Sequence, residues 1–251
     1  MTGGVARYVR QMVDTDALTV DRMTEEFFHD SSYFLSEAQI LLANEFKVES
    51  GIYYDILAAI AHGVTKRMEL QNVTAGKQVG GYLDKLQKLF GLIRKNEPLF
   101  NKDYRKVRYV LNDPYLSFWF AFVQREEDLV STRQFDELKR LFRSHYSDYS
   151  GRVLEGWFRA KFLESGLYPE VGSWWDRKGE NEIDLIAVNA ERRVAWVFEI
   201  KRNPKKFDPT VLQRKTAVML GQNNRLERFD IRTKGLSLED MVRPVTELAP
   251  L

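Results

Sequence analysis

The chain has 251 residues, a formal net charge of +2 and 44% hydrophobic residues, which suits one large or two to three small globular domains and excludes a disordered chain. Cysteine is absent and histidine occurs only at His29, His62 and His145, so disulfides and cysteine-bound zinc are excluded, and a His-rich metal site or a Ser-His-Asp triad is disfavoured. No apolar run approaches the ~18 residues of a membrane span and no secretory leader pattern opens the chain, so we expect a cytoplasmic protein with no membrane partner.

The charge is unevenly distributed. Residues 1–50 carry 4 Lys/Arg against 9 Asp/Glu, residues 65–108 carry 11 against 4, and residues 199–234 carry 10 against 4. Two basic blocks in a nearly neutral chain point to a polyanion such as DNA, although basic blocks also occur as plain solvated surface.

In chain order, residues 1–50 are expected to be helical, with Phe34, Ile40, Leu41 and Leu42 at helical spacing and Gly51 as a break. Residues 51–112 change character. "IYYDILAAIAHG" predicts a helix ending at Gly63, "KRMELQNV" a short segment, and "GKQVGGYLDKLQKLFGLI" a helix with Val79, Leu83, Leu86, Leu89 and Phe90 on one face. "LIRKNEP" and "KVRYVLND" then predict two short strands around a basic loop. Helix, short helix, longer helix and β-hairpin is the order of a winged helix-turn-helix, whose third helix can enter the major groove. Lys77, Gln78, Lys85 and Lys88 are its candidate nucleic-acid-binding residues; packing of the module on a neighbouring domain is the alternative.

Residues 113–251 are expected to form one domain. Phe118, Trp119, Phe120 and Phe122 make a dense apolar cluster, expected to be core. Residues 151–167 predict an amphipathic helix with Val153, Leu154, Trp157, Phe158 and Phe162 on one broad face and Glu155 beside it. "EIDLIAV" and "VAWVFEIK" predict two strands of a hairpin. If Val188 faces Ala195, then Ile186 faces Val197, Asp184 faces Glu199 and Glu182 faces Lys201. Alternation then puts Asp184, Ile186 and Val188 on one face with Ala195, Val197, Glu199 and Lys201, and Ile183, Leu185, Ala187, Trp196, Phe198 and Ile200 on the other. A slip of one residue would separate the acids.

Two carboxylates a few ångströms apart repel unless a cation lies between them. Mg²⁺, or Mn²⁺ in its place, suits such a pair, because a hard ion takes oxygen ligands and keeps several waters. The carbonyl of Ile200 can add a ligand, and Lys201 can face an attacking water or a developing phosphorane charge. Asp184, Glu199 and Lys201 thus meet the needs of metal-dependent phosphodiester hydrolysis. A structural ion-pair cluster, such as Glu182 with Lys201, is the alternative.

Glu155, Asp184 and "EIK" at 199–201 resemble the PD-(D/E)XK nuclease superfamily. The resemblance implies a restriction-endonuclease-like mixed sheet flanked by helices, with Glu155 as the helix acid, Asp184 and Glu199 as metal-binding acids, and Lys201 as the catalytic lysine. Ile183 stands where the family's Pro would be, and Gln213 is a weak match for a glutamine that some members use. A broader resemblance runs along nearly the whole chain. "TGGVARYV", "SSYFLSEAQILLANEF", "YLDKLQKLFGLIRKN", "YVLNDPYLSFWFAFV", "GRVLEGWF", "GSWWDRKGENEIDLIAV" and "FEIKR" look like the C-terminal part of the archaeal-type ATPase family, which is AAA-related (STAND-like). That resemblance implies a helical lid remnant at 1–50, a winged helix at 51–112 and a nuclease-like domain at 113–251, with Ala6 where the family often has Pro. The implied function is a DNA-binding winged helix with a Mg²⁺-dependent nuclease-like domain. A catalytically inactive DNA- or protein-binding module that regulates the ATPase is the alternative. No G-x-x-x-x-G-K-[ST] string occurs, so no ATPase activity is expected of this chain; ATP would bind only in an ATPase core lying outside it, in cis or in trans.

Overall fold

A computed structural model describes residues 1–46, 50–100 and 103–251. The fold class is mixed α and β, as expected: helices first, then a helix-turn-helix with a two-stranded sheet, then a four-stranded mixed sheet between helices. Among the described residues, no helix is long and apolar enough to cross a membrane. The chain divides into two compact units. One comprises residues 1–96 and 107–145, the other residues 97–106 and 146–251.

In the first unit, helices α1 (Ala6–Asp14), α2 (Val20–Phe27) and α3 (Glu37–Phe46) pack around aromatic rings. Thr19 caps α2 by accepting from the Arg22 N–H at 3.3 Å. Phe27 stacks on Phe34 with centroids 4.0 Å apart, and Phe27 also meets Phe118 edge-on at 4.8 Å. Phe34 and Leu42 are buried, whereas Ile40 and Leu41 are exposed, so the stripe expected there is narrower than its apolar content.

Helices α4 (Ser50–Ala61), α5 (Arg67–Val73) and α6 (Gly80–Lys88) follow. Gly51, expected as a break, lies inside the first turn of α4. Gly63 ends that segment with φ +94°, a left-handed conformation that a glycine adopts at no Cβ cost. Strands β1 (Ile93–Asn96) and β2 (Arg108–Leu111) pair antiparallel with Ile93 opposite Leu111, and an isolated antiparallel bridge joins Lys66 to Arg108. This is the winged-helix order read from the sequence. Ile56, Leu57, Leu70, Leu83, Leu86 and Ile93 form its buried interior. Leu89, expected on the buried face of α6, is instead 71% exposed, because it follows the last helical residue as the chain turns toward Gly91.

Residues 113–145 belong with this first unit. Helix α7 (Pro114–Trp119) is capped by Asp113, whose Oδ1 accepts from the Leu116 N–H at 2.9 Å, and it continues into a π-helical turn over Phe120–Gln124. Tyr115 Oη donates to Phe34 O and Trp119 Nε1 donates to Leu35 O, both at 2.9 Å. The cluster of Phe118, Trp119, Phe120 and Phe122 is core, as expected, and the core it fills is that of the N-terminal helices. Helix α8 (Glu127–Ser131) is short. Helix α9 then runs unbroken over Phe135–Glu164, passing through Gly151, where a separate helix was expected to begin.

In the second unit, β3 (Glu170–Trp175), β4 (Glu182–Asn189), β5 (Val194–Ile200) and β6 (Asp230–Leu236) lie in the order β3-β4-β5-β6. The first three are antiparallel, and β6 is parallel to β5. A parallel neighbour needs a crossover, supplied by helix α10 (Pro209–Gly221). Asp208 caps α10 by accepting from the Thr210 N–H at 2.8 Å. Helix α11 (Val245–Leu248) closes the chain.

The β4–β5 register is the one read from the sequence: Val188 opposite Ala195, Ile186 opposite Val197, Leu185 opposite Phe198. Both faces are covered, which explains why both are apolar. Leu185, Ala187, Phe198 and Ile200 pack with Leu154, Phe158 and Phe162 of α9. Ile186, Val188, Ala195 and Val197 pack with Leu212 and Met219 of α10. Ile183 departs from strict alternation and packs on the α10 side with Trp174, where a register shift between Gly172 and Trp174 interrupts the β3–β4 ladder. Val153, expected on the buried face of α9, is exposed, while Leu154, Phe158 and Phe162 are buried.

Part of the loop between β1 and β2 belongs to this second unit. Leu99 N–H donates to Ser173 O at 2.8 Å, and Leu99 and Phe100 join the α10-side core. Gly172 leaves room for Leu99, just as Gly235 leaves room for Phe207: a Cβ built on Gly235 would stand 2.6 Å from the Phe207 ring. Gly235→Ala is therefore expected to cost about 1–3 kcal/mol by overpacking. Urea unfolding of the two proteins measures it, and an unchanged midpoint would show that the ring does not close over the glycine.

Candidate active site at the end of strands β4 and β5

The site forms where β4 begins and β5 ends, inside the second unit. Asp184 is the third residue of β4, Glu199 is the penultimate residue of β5, and Lys201 follows the last. Asp184 Oδ2 accepts the Ile200 N–H at 2.7 Å, which binds the start of one strand to the end of the other and fixes the carboxylate. Lys201 N–H donates to Leu236 O at 2.9 Å, so its backbone is held by β6. Glu199 is buried, with a side chain 9% exposed, and two ammonium groups compensate it. Lys201 Nζ lies 2.7 Å from Oε1. Lys215 Nζ, from α10, donates to Oε1 at 3.2 Å and to Oε2 at 2.9 Å.

Glu155 enters from α9. It makes no hydrogen bond or ion pair among the described residues, and it feels the charges of Asp184, Glu182, Lys201 and Arg152. Burial, then the negative charges of Asp184 and Glu182, push its carboxyl up to about 8. Burial and the charge of Glu199 likewise push Asp184 up to about 6, against the Ile200 hydrogen bond and the two lysines. At Lys201 burial works to lower the pKa, but the Glu199 hydrogen bond and the charges of Glu199, Asp184 and Glu155 outweigh it, and the pKa is raised. The four residues singled out in the sequence, Glu155, Asp184, Glu199 and Lys201, are thus electrostatically coupled.

Lys215 was not foreseen. Gln213, the weaker candidate on the same helix, is exposed, and its neighbour two positions on reaches Glu199 instead. The available signal was its position beside the buried stripe of Leu212, Thr216 and Met219, which puts a lysine stem against the sheet.

The donor chemistry fits a hard divalent cation. Burial and the charge of Asp184 raise the Glu155 carboxyl, burial and the charge of Glu199 raise that of Asp184, and added positive charge would relieve both. Among the described residues, no three His, Cys, Asp or Glu groups form a ready cage. Mg²⁺ does not require one, since it binds through one or two carboxylates and keeps several waters. Asp184 and Glu199 are the residues that would hold it.

The residues expected to contact nucleic acid lie in the first unit. Lys77 and Gln78 are exposed in the loop before α6, and Lys85 and Lys88 are exposed on the helix, with Lys88 Nζ 3.9 Å from Asp84.

The raised carboxyls set a pH dependence. A carboxyl whose folded pKa exceeds its unfolded value gives stability that is fully present below the unfolded pKa and lost as pH rises through the folded one. For Glu155 that window runs from its ordinary 4.5 to about 8. Chelator-treated wild-type protein should lose stability between about pH 5 and pH 8, and Glu155→Gln should remove part of that slope, gaining on the order of 1–3 kcal/mol at pH 8. Denaturant melts across pH check this; parallel curves for the two proteins would contradict the coupling.

Residues 119–210 match a protein family, DUF234, described as archaea bacterial proteins of unknown function. The match begins at the last residue of α7 and spans the π-helical turn, α8, α9 and β3 to β5, and so includes Glu155, Asp184, Glu199 and Lys201. No curated protein and no solved structure matches the chain.

Proposed function

We propose that the second unit is a divalent-cation-dependent phosphodiesterase centre that acts on DNA, and that the winged-helix segment supplies sequence-independent DNA contacts. The observation that carries the proposal is the meeting of Glu155, Asp184, Glu199 and Lys201 at one end of β4 and β5. The cation held by Asp184 and Glu199 would supply Lewis acidity toward a phosphate oxygen and a water of lowered pKa. Asp184 is aimed by the Ile200 N–H and Glu199 by two lysines, so both carboxylates are preorganised. Lys201 keeps its ammonium charged beside Glu199 and offers its protons to the attacking water or to the oxygen on which charge develops. Glu155 retains a proton near neutral pH while no cation is bound, and so adds little negative charge at the edge of the site. The order of sequence segments that resembles archaeal-type ATPases supports an ATPase core as the partner that brings DNA to the site.

A second reading has its own support. Two lysines already compensate Glu199, and the same cluster would serve as a structural ion-pair network in an inactive, DNA- or protein-binding module that regulates the ATPase.

The two readings separate in a nicking assay on supercoiled, branched and single-stranded DNA with Mg²⁺ or Mn²⁺, run on this chain alone and with the ATPase core. Cleavage is expected from the wild type. Asp184→Asn should abolish it by losing the cation, and Lys201→Ala should lower the rate by on the order of 10²–10³ while sparing cation binding. Cleavage that survives both substitutions would belong to a contaminant, and wild type inactive in both settings would favour the regulatory module.

DNA contact is tested on α6. Lys85→Ala and Lys88→Ala should weaken binding about equally across DNA sequences, each lowering the slope of log K against log salt by about one. Binding unmoved by both changes would take α6 out of the interface.

A further inference from the structure

Glu199 carries two cations where one would neutralise it. Lys215 spans both of its oxygens, at 2.9 and 3.2 Å, while Lys201 meets Oε1 at 2.7 Å. An ionised carboxylate offers about four lone-pair sites, and three lysine contacts take most of them. The Lys215 side chain is 17% exposed against 37% for Lys201, and it rises from a helix anchored by Leu212, Thr216 and Met219 in the core. Its ammonium is therefore held at Glu199 by the fold, whereas Lys201 sits at the open end of the strand with Asp184 and Glu155 as further partners for its charge.

We propose that Lys215 is a positioning residue that holds Glu199 in the cation-free site and competes with the divalent cation for it, so that Lys215 sets the cation affinity. The proposal rests on the phosphodiesterase reading, since it concerns the same cation. It follows from charge and geometry. A cation joining Glu199 must take a lone pair that Lys215 now holds, and it must bear the repulsion of an ammonium a few ångströms away, an effect large in a partly desolvated site. Without Lys215 both penalties vanish. Affinity should rise even though the cation-free protein loses an ion pair and becomes less stable.

Isothermal titration of Mn²⁺ into the whole chain tests this, with circular dichroism to confirm folding. Lys215→Met should bind Mn²⁺ at least about tenfold more tightly than wild type. Lys215→Arg keeps the charge and can span both Glu199 oxygens with its fork, so it should bind Mn²⁺ as wild type does or more weakly. Because Lys215→Arg retains the ion pair, it remains informative if Lys215→Met does not fold, and tighter binding by Lys215→Arg would overturn the proposal. So would a folded Lys215→Met that binds no more tightly than wild type. If in that case Asp184→Asn abolishes wild-type binding, the phosphodiesterase reading survives. Mn²⁺ binding by Asp184→Asn equal to wild type would remove the cation from this site and overturn both.

Discussion

A carboxylate taken out of water must be compensated, and at Glu199 the compensation arrives from two parts of the chain. Lys201 comes from the end of the same strand, and Lys215 from the helix that crosses back to β6. That pairing ties the charged end of β5 to α10, and α10 in turn covers the Ile186, Val188, Ala195 and Val197 face. The bond from Ile200 N–H to Asp184 joins the same end of β5 to β4. Charge and backbone thus converge on a short segment, residues 199–201, and the two flanking helices are packed to meet it.

Balance is the property that makes this site chemically interesting. Glu155 and Asp184 are raised, so near neutral pH the cation-free cluster keeps less negative charge than its carboxyl count suggests. Two lysines answer the remainder. In the proposed reading, the cluster exchanges one of these ammonium groups for a metal ion. The hairpin between β1 and β2 meets a different constraint. Leu99 and Phe100, in the loop where a wing would reach for DNA, are packed into the core of the second unit, so these two residues serve stability rather than contact. Lys77, Gln78, Lys85 and Lys88 stay exposed on and before α6.

Much of this was legible in the sequence. The pairing of β4 with β5 followed from period-two alternation and from placing Val188 across from Ala195, because a one-residue slip would have exposed an entire apolar set. The winged-helix order followed from glycine-ended helical segments and two short strands. What local pattern could not show was long-range. Lys215 lies 16 positions after Glu199, and only the crossover geometry brings them together. The aromatic run at Phe118–Phe122 reads as core but does not say whose core, and its partners Phe27 and Phe28 lie far back in the chain. Gly151 looked like a boundary, but no neighbour crowds it and α9 continues through it. Ile183 leaves its expected face beside a register shift in the β3–β4 ladder, an irregularity of β3 that the alternation within β4 does not show.

The central claim is that Asp184 and Glu199 share a divalent cation. Anomalous diffraction from crystals soaked in Mn²⁺ tests it most directly. The account predicts a peak within ligand distance of both carboxylates, near the Mg²⁺–oxygen value of about 2.0–2.1 Å, with Lys215 Nζ drawn away from Glu199. Manganese bound elsewhere, with Lys201 and Lys215 still on Glu199 and no peak beside Asp184, would contradict it.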